Sequence, residues 1–328
     1  MGIVLTQANR KILGYLLKLT IVGFAAYFIY KKLSNNQNLD EFIELIKQLP
    51  VVKVYCYLSL IFVLMLVNWF LESAKWKFLI YKIEKLSFYK AVESVFCGLT
   101  WAVFTPNRIG EYGGRILFLS PRKRAHGAIA MIVGQISQLV ITHVMGAIAL
   151  LWFIYYFKPI DQWLFLGISL LVTGFCFFFL LFYLNIRWLE KSLNSLKFLK
   201  RFSKYFSVLG KYRQPELLKV MFFSLSRYAV FTSQYLVIIH LLIPDINLGQ
   251  SAIMMLLLFF IQSALPSLDL LDIGVRSLTA TYFFSYLTNQ EIAIMAAVAL
   301  IWFINLIVPA VIGSIFVFKL KFFDDSNS

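Results

Sequence analysis

Two acid–arginine pairs stand out in the chain: Glu111 with Arg115, and Asp272 with Arg276. In each the partners are four residues apart, so on a helix the two side chains meet on one face. Arginine presents a planar fork of donors that fits a carboxylate or a phosphate in bidentate fashion. Two readings follow. The pairs read either as internal ion pairs that hold their segments together, or as parts of a phosphate site whose acids orient the arginines or engage a substrate cation. Arg108, three residues before Glu111, is a third candidate phosphate ligand or else a tip residue. Asp269 stands three residues before Asp272.

Other polar residues interrupt otherwise apolar runs. Asn68, Glu72 and Trp76 recur at four-residue intervals, and Glu72 can reach Lys75 three residues on. This stripe is expected to face the protein interior, with Lys75 snorkelling to the membrane surface. Gln135, Gln138 and Thr142 form a second stripe beside His143, expected to hydrogen-bond between helices, with substrate contact as the alternative. Arg227 and Gln234 share a further run, and Asn305 is alone in the last one.

Several chemistries find no support. His126, His143 and His240 have no partners at metal-ligand spacing, and no P-loop, dinucleotide fingerprint or nucleophile elbow occurs. No cofactor is expected, and a transporter is favoured over an enzyme. Cys56, Cys97 and Cys176 sit far apart in apolar runs and read as small apolar side chains.

The elements that must carry these groups are membrane helices. The 328 residues are 60% apolar and 14% charged, with a mean hydropathy of +0.78; a soluble chain carries about a quarter charged residues. Full spans are expected near 12–30, 54–76, 126–157, 161–186, 216–243 and 290–318. Two segments are instead broken by proline, glycine and charge: 88–105 with its continuation to Leu119, and 250–265 with its continuation to Leu287. Ionisable groups at such depth cost about 2.5–3.5 kcal/mol on insertion scales, and persist when paired or when they line a wet cavity.

The net charge of +15 does not point to nucleic acid, because the cations cluster between spans. Lys75 to Lys90, Arg122 to Arg124, residues 187–213, and Lys319 with Lys321 mark the cytoplasmic side. The stretch 187–213 reads as an amphipathic helix on that leaflet. With both basic flanks of 88–124 inside, that segment must enter and leave on one side; the same parity makes 250–288 enter and leave from the other. The expected fold is an all-α membrane protein of about six full transmembrane helices plus two oppositely oriented re-entrant hairpins. It forms one polytopic domain, residues 1–328, with both termini cytoplasmic. Glu111-Tyr112-Gly113-Gly114-Arg115 and Asp272-Ile273-Gly274-Val275-Arg276 share a pattern at half-chain spacing, with Pro106 and Pro266 preceding. That suggests an inverted-topology repeat with halves near 12–157 and 161–318, and a site between broken helices.

Thr105 to Arg115 (TPNRIGEYGGR) resembles the P-x-R-x-G-E-x-x-R motif of the lysylphosphatidylglycerol synthase transmembrane-domain family, and Asn68 to Trp76 and Leu265 to Arg276 resemble its other landmarks. The resemblance implies an integral protein of a bacterial inner membrane that moves phospholipid, anionic or aminoacylated, between leaflets. It assigns Arg108, Glu111, Arg115 and Arg276 to the matching site positions. The synthase's soluble aminoacyl-transferase domain has no counterpart here, so lysyl-lipid synthesis is not expected. The family usually has more glycine in the second motif and an acid directly after the arginine, whereas here Asp269 and Asp272 precede Arg276 and Ser277 follows it. That difference bears on the headgroup recognised. Movement driven by an ion or proton gradient through Glu111 or Asp272, and equilibrative movement, both fit. An enzyme that modifies lipid headgroups and a lipid-binding scaffold for a separate synthase are the alternatives, and a homo-oligomer is compatible with the sequence.

Overall fold

A computed structural model describes residues 16, 47, 49–105, 108–197, 199–264 and 272–318, without the side chains of 272–275 and 278. The expected span 12–30 (apart from Leu16), Pro106, Pro266, Asp269, Lys319 and Lys321 lie outside the described residues.

The described chain is helical, and at least four helices are long and apolar enough to cross a membrane. The first is α1 (Val51–Ile80). The helices α2 (Phe88–Ala102) and α3 (Ile109–Ile116) follow. A single 3-10 turn at Pro121–Lys123 leads into α4 (Arg124–Phe157), and α5 is Gln162–Leu184. At 1.5 Å per residue even the 23 residues of α5 exceed the ~30 Å hydrocarbon core. The last span, Glu291–Val317, comprises α11 (Glu291–Trp302), a π-helical turn (Phe303–Ile307) and α12 (Val308–Val317). Between them lie α6 (Arg187–Ser195), α7 (Ser203–Phe206), α8 (Gln214–Leu242), α9 (Leu248–Ala264) and α10 (Asp272–Phe284).

Local sequence explains where the helices begin. Asp161 caps α5 by accepting from the Trp163 amide at 2.8 Å, and Ser87 caps α2 by accepting from the Lys90 amide. Pro215 sits in the first turn of α8, where its missing donor costs nothing. The expected run 216–243 is the single helix α8, made more polar than the four long apolar helices by Arg227 and Gln234.

The basic stretch 187–213 is not one amphipathic helix. It folds as α6, a 3-10 turn at Lys200–Phe202, α7 and another 3-10 turn at Leu209–Lys211. Leu196 is extended, and the Ser192, Asn194 and Ser195 side chains before it favour turns over helix. The apolar residues Ile186, Val208, Leu209 and Tyr212 are buried against Tyr183, Leu217 and Leu79. The Tyr212 hydroxyl donates to the Leu79 carbonyl at 2.7 Å. The apolar residues of the segment are thus packed against the helix ends, while its basic residues stay exposed.

Two helix contacts need glycine. A Cβ on Gly114 would lie 2.5 Å from Gly98 Cα, and one on Gly110 2.3 Å from the Trp101 carbonyl oxygen. The order of these contacts makes α2 and α3 antiparallel and backbone-close. A Cβ on Gly313 would sit 2.1 Å from the Phe96 carbonyl oxygen, which lets α12 lie on α2. There the Thr100 hydroxyl donates to the Ala310 carbonyl at 2.8 Å. Close backbone approach through small residues is how helices associate where lipid supplies no hydrophobic drive.

Candidate functional site

The charges of α1, α3 and α8 converge. Glu72 is the hub: one carboxylate oxygen accepts from Arg115 Nη1 at 2.7 Å, and the other accepts from Lys75 Nζ at 2.7 Å and from Arg227 Nη1. Glu111 accepts from Arg115 Nη2 and faces Arg108 Nε at 3.2 Å. Asn68 accepts from Arg227 Nε at 3.0 Å, and the Arg227 guanidinium lies 5.2 Å from the Trp69 ring centroid. Asn68, Glu72, Lys75, Glu111 and Arg115 are all buried. Four cations thus surround two carboxylates, a net of +2 among the described residues of this cluster.

Sequence spacing put Glu111 beside Arg115 and Glu72 beside Lys75, and both pairs form. The link between them, Arg115 bridging two carboxylates on separate helices, is a tertiary fact. Lys75 does not snorkel: it is 2% exposed, held by Glu72 in the interior. A buried carboxylate with spare acceptor capacity outcompetes water at the helix end for that ammonium.

The cluster borders a cavity of about 490 Å³. Glu72, Arg108, Glu111 and Arg227 line it, and so does Arg276 from α10, whereas Arg115 is buried behind Glu111 and Glu72 and is not on the lining. Asp272 begins α10, but its side chain, like all of Asp269, lies outside the described residues. Arg227 is midway along α8, which places this space deep within the helices.

Arg108 has φ 56° and ψ 26°, left-handed backbone that is unique to it among the described non-glycine residues. The conformation costs roughly 1–2 kcal/mol. It turns the chain from the end of α2 into α3 and sets the guanidinium at the cavity edge. The Thr105 hydroxyl braces the turn by accepting from the Gly110 amide at 2.6 Å.

Gln135, Gln138 and Thr142 also line the cavity, where cross-helix bonding was expected. The Thr142 hydroxyl is spent on its own helix, donating to the Gln138 carbonyl at 3.0 Å, and Gln138 Oε1 has no protein partner. Sequence reasoning missed Tyr112, Tyr228, Gln262 and Trp302 on the same lining. It also missed the π turn that presents Asn305, although a signal existed. Pro309 has no amide to bond the Asn305 carbonyl four residues earlier, and its ring crowds that carbonyl. The ladder widens there into the π turn, a geometry frequent at functional sites.

The family described as lysylphosphatidylglycerol synthase TM region matches residues 15–313. No curated protein and no solved structure matches the chain.

Proposed function

The chain belongs to the lysylphosphatidylglycerol synthase transmembrane-region family, a family of integral membrane, flippase-like domains, and from that premise we propose that it moves phospholipids between leaflets by taking the phosphate headgroup into the cavity while the acyl tails stay in lipid. The observation that carries this reading is the +2 cluster on the cavity wall: its buried members Glu72, Lys75, Glu111 and Arg115 sum to zero, and the excess sits on Arg108 and Arg227, which line the cavity. A phosphodiester brings one negative charge, which offsets part of that excess. Arg108, Arg227 and Arg276 face the space and receive the phosphate. Arg115 and Lys75 stand behind them, paired to Glu111 and Glu72, and those carboxylates with Asn68 and Trp69 fix the guanidinium planes in advance. Pre-ordered donors bind with less loss of side-chain freedom.

In the same proposal α2–α3 and α9–α10 are two re-entrant hairpins entering from opposite faces, with about six full spans around them. The antiparallel packing of α2 on α3 supports the first hairpin, and Arg276 from the second motif lining the same cavity as Glu111 from the first supports a site between the two. The membrane is the bacterial inner membrane, with both termini cytoplasmic.

The test is leaflet exchange of labelled anionic and aminoacylated phospholipids in proteoliposomes. A charge-assisted hydrogen bond is worth about 1.5–3 kcal/mol. Arg276→Ala and Arg227→Lys are therefore expected to slow exchange about 10- to 100-fold. Exchange at the parental rate in both variants, each still folded, refutes the proposal.

A further inference from the structure

Beyond the charges, the cavity carries a second set of polar groups. Gln138 Oε1 and Asn305 Oδ1 are acceptors, Gln262 Nε2 is a donor and the Tyr228 hydroxyl is both; none of these atoms has a protein hydrogen-bond partner. They come from α4, the π turn, α9 and α8, and all four residues line the same cavity. Asn305 and Tyr228 are 8% and 6% exposed. The other end of the Asn305 amide is committed, Nδ2 donating to the Ile301 carbonyl at 3.1 Å, which holds Oδ1 in place. The Trp69 indole Nε1, a donor on the same lining, has no hydrogen-bond partner either. Buried polar atoms normally find partners, so five that do not, on one cavity, describe a ligand's complement.

The chemistry of that complement is restrictive. A phosphate oxygen only accepts, and an ammonium only donates. Neither alone satisfies a lining that offers unpartnered acceptors and unpartnered donors together. A hydroxyl does both. Among the described residues, the carboxylates on the cavity are already engaged: Glu72 by Lys75, Arg115 and Arg227, and Glu111 by Arg115 and Arg108.

We propose that the amide-rich part of the cavity, Gln138, Gln262, Asn305 and Tyr228, is a polyol subsite, so that the headgroup taken is a phosphodiester bearing adjacent free hydroxyls, such as a glycerol or sugar phosphate. This rests on the transport reading for the phosphate and adds the group beyond it. The same hydroxylated phosphate could arrive on a lipid or free in water, and the experiment separates the two.

Full-length protein in nanodiscs of a zwitterionic lipid is titrated with phosphatidylglycerol, phosphatidylinositol, phosphatidate and lysyl-phosphatidylglycerol, and with soluble glycerol phosphate. Binding is read by native mass spectrometry. The hydroxylated lipids are expected to bind about three- to tenfold more tightly than phosphatidate, from one or two neutral hydrogen bonds. Gln138→Leu and Gln262→Leu are expected to bring that ratio toward one. A wild-type ratio of one, or a preference for the aminoacylated lipid, overturns the polyol subsite, and neither result needs a variant to fold. A ratio that persists in both leucine variants also overturns it. Saturation by soluble glycerol phosphate at concentrations matching the lipid assigns the site to a free metabolite; lipid-only binding assigns it to headgroups. If no phosphate-bearing compound binds, the transport reading fails first; if all bind alike, only the polyol subsite fails.

Discussion

Removing the Glu72 charge is the sharpest perturbation of the cluster. Glu72→Gln keeps the shape of the side chain but leaves Lys75, Arg115 and Arg227 facing a neutral amide. The described charges then go from four cations against two carboxylates to four against one, a net of +3. Breaking a buried ion pair by deleting one partner costs about 3–5 kcal/mol, because the other charge stays buried and uncompensated. Here three cations lose the same partner and Arg115 keeps Glu111, so the upper part of that range applies. The double variant Glu72→Gln with Lys75→Met returns the net to +2 and should recover part of the loss. The assay is reversible unfolding in mixed micelles, parent against both variants. A Glu72→Gln protein within about 0.5 kcal/mol of the parent would refute the reasoning, since it would mean the three cations reach water or other anions. So would a double variant no more stable than the single one.

Other predictions follow from the packing and the backbone. Gly114→Ala pushes a methyl into the Gly98 backbone and should cost about 1–3 kcal/mol, read by thermal unfolding. A matching cost is expected for Gly313→Ala against the Phe96 carbonyl. Arg108→Gly removes about 1–2 kcal/mol of left-handed strain and adds about 0.5–1 kcal/mol of chain entropy. Stability should therefore stay within about 1 kcal/mol of the parent while lipid exchange slows; a large loss of stability would show that the Glu111 contact matters more than the strain. Cysteines introduced at Lys85 and Arg122, which flank α2 and α3, should react with an impermeant maleimide from one and the same side, whereas labelling from opposite sides refutes re-entry.

Much of this was legible in the sequence because membranes leave few options. Long apolar runs must be helices, and the runs near 54–76, 126–157, 161–186 and 290–318 are the four long helices observed. The pairs Glu111–Arg115 and Glu72–Lys75 followed from helical spacing alone. What spacing cannot carry is which helices become neighbours. Glu72 draws in Arg115 from 43 residues away and Arg227 from 155 away, and no local pattern encodes either link. The same gap explains Lys75, whose position near a helix end suggested snorkelling until its partner's acceptors were counted. Gln135 and Gln138 were read as glue between helices because the sequence does not show where helices part to leave a cavity. The π turn was readable from Pro309, four residues beyond Asn305, but only by asking which carbonyl that proline leaves unbonded.

The central claim is that a phosphate headgroup enters the cavity beneath Arg108, Arg227 and Arg276. Photolabelling with a phospholipid that carries a diazirine on its headgroup tests it most directly, with adducts mapped by mass spectrometry. The prediction is adducts on cavity residues such as Tyr112 and Phe231, lost when Arg276 is replaced by alanine. Adducts confined to outward residues of α5, such as Trp163 and Leu171, would contradict it.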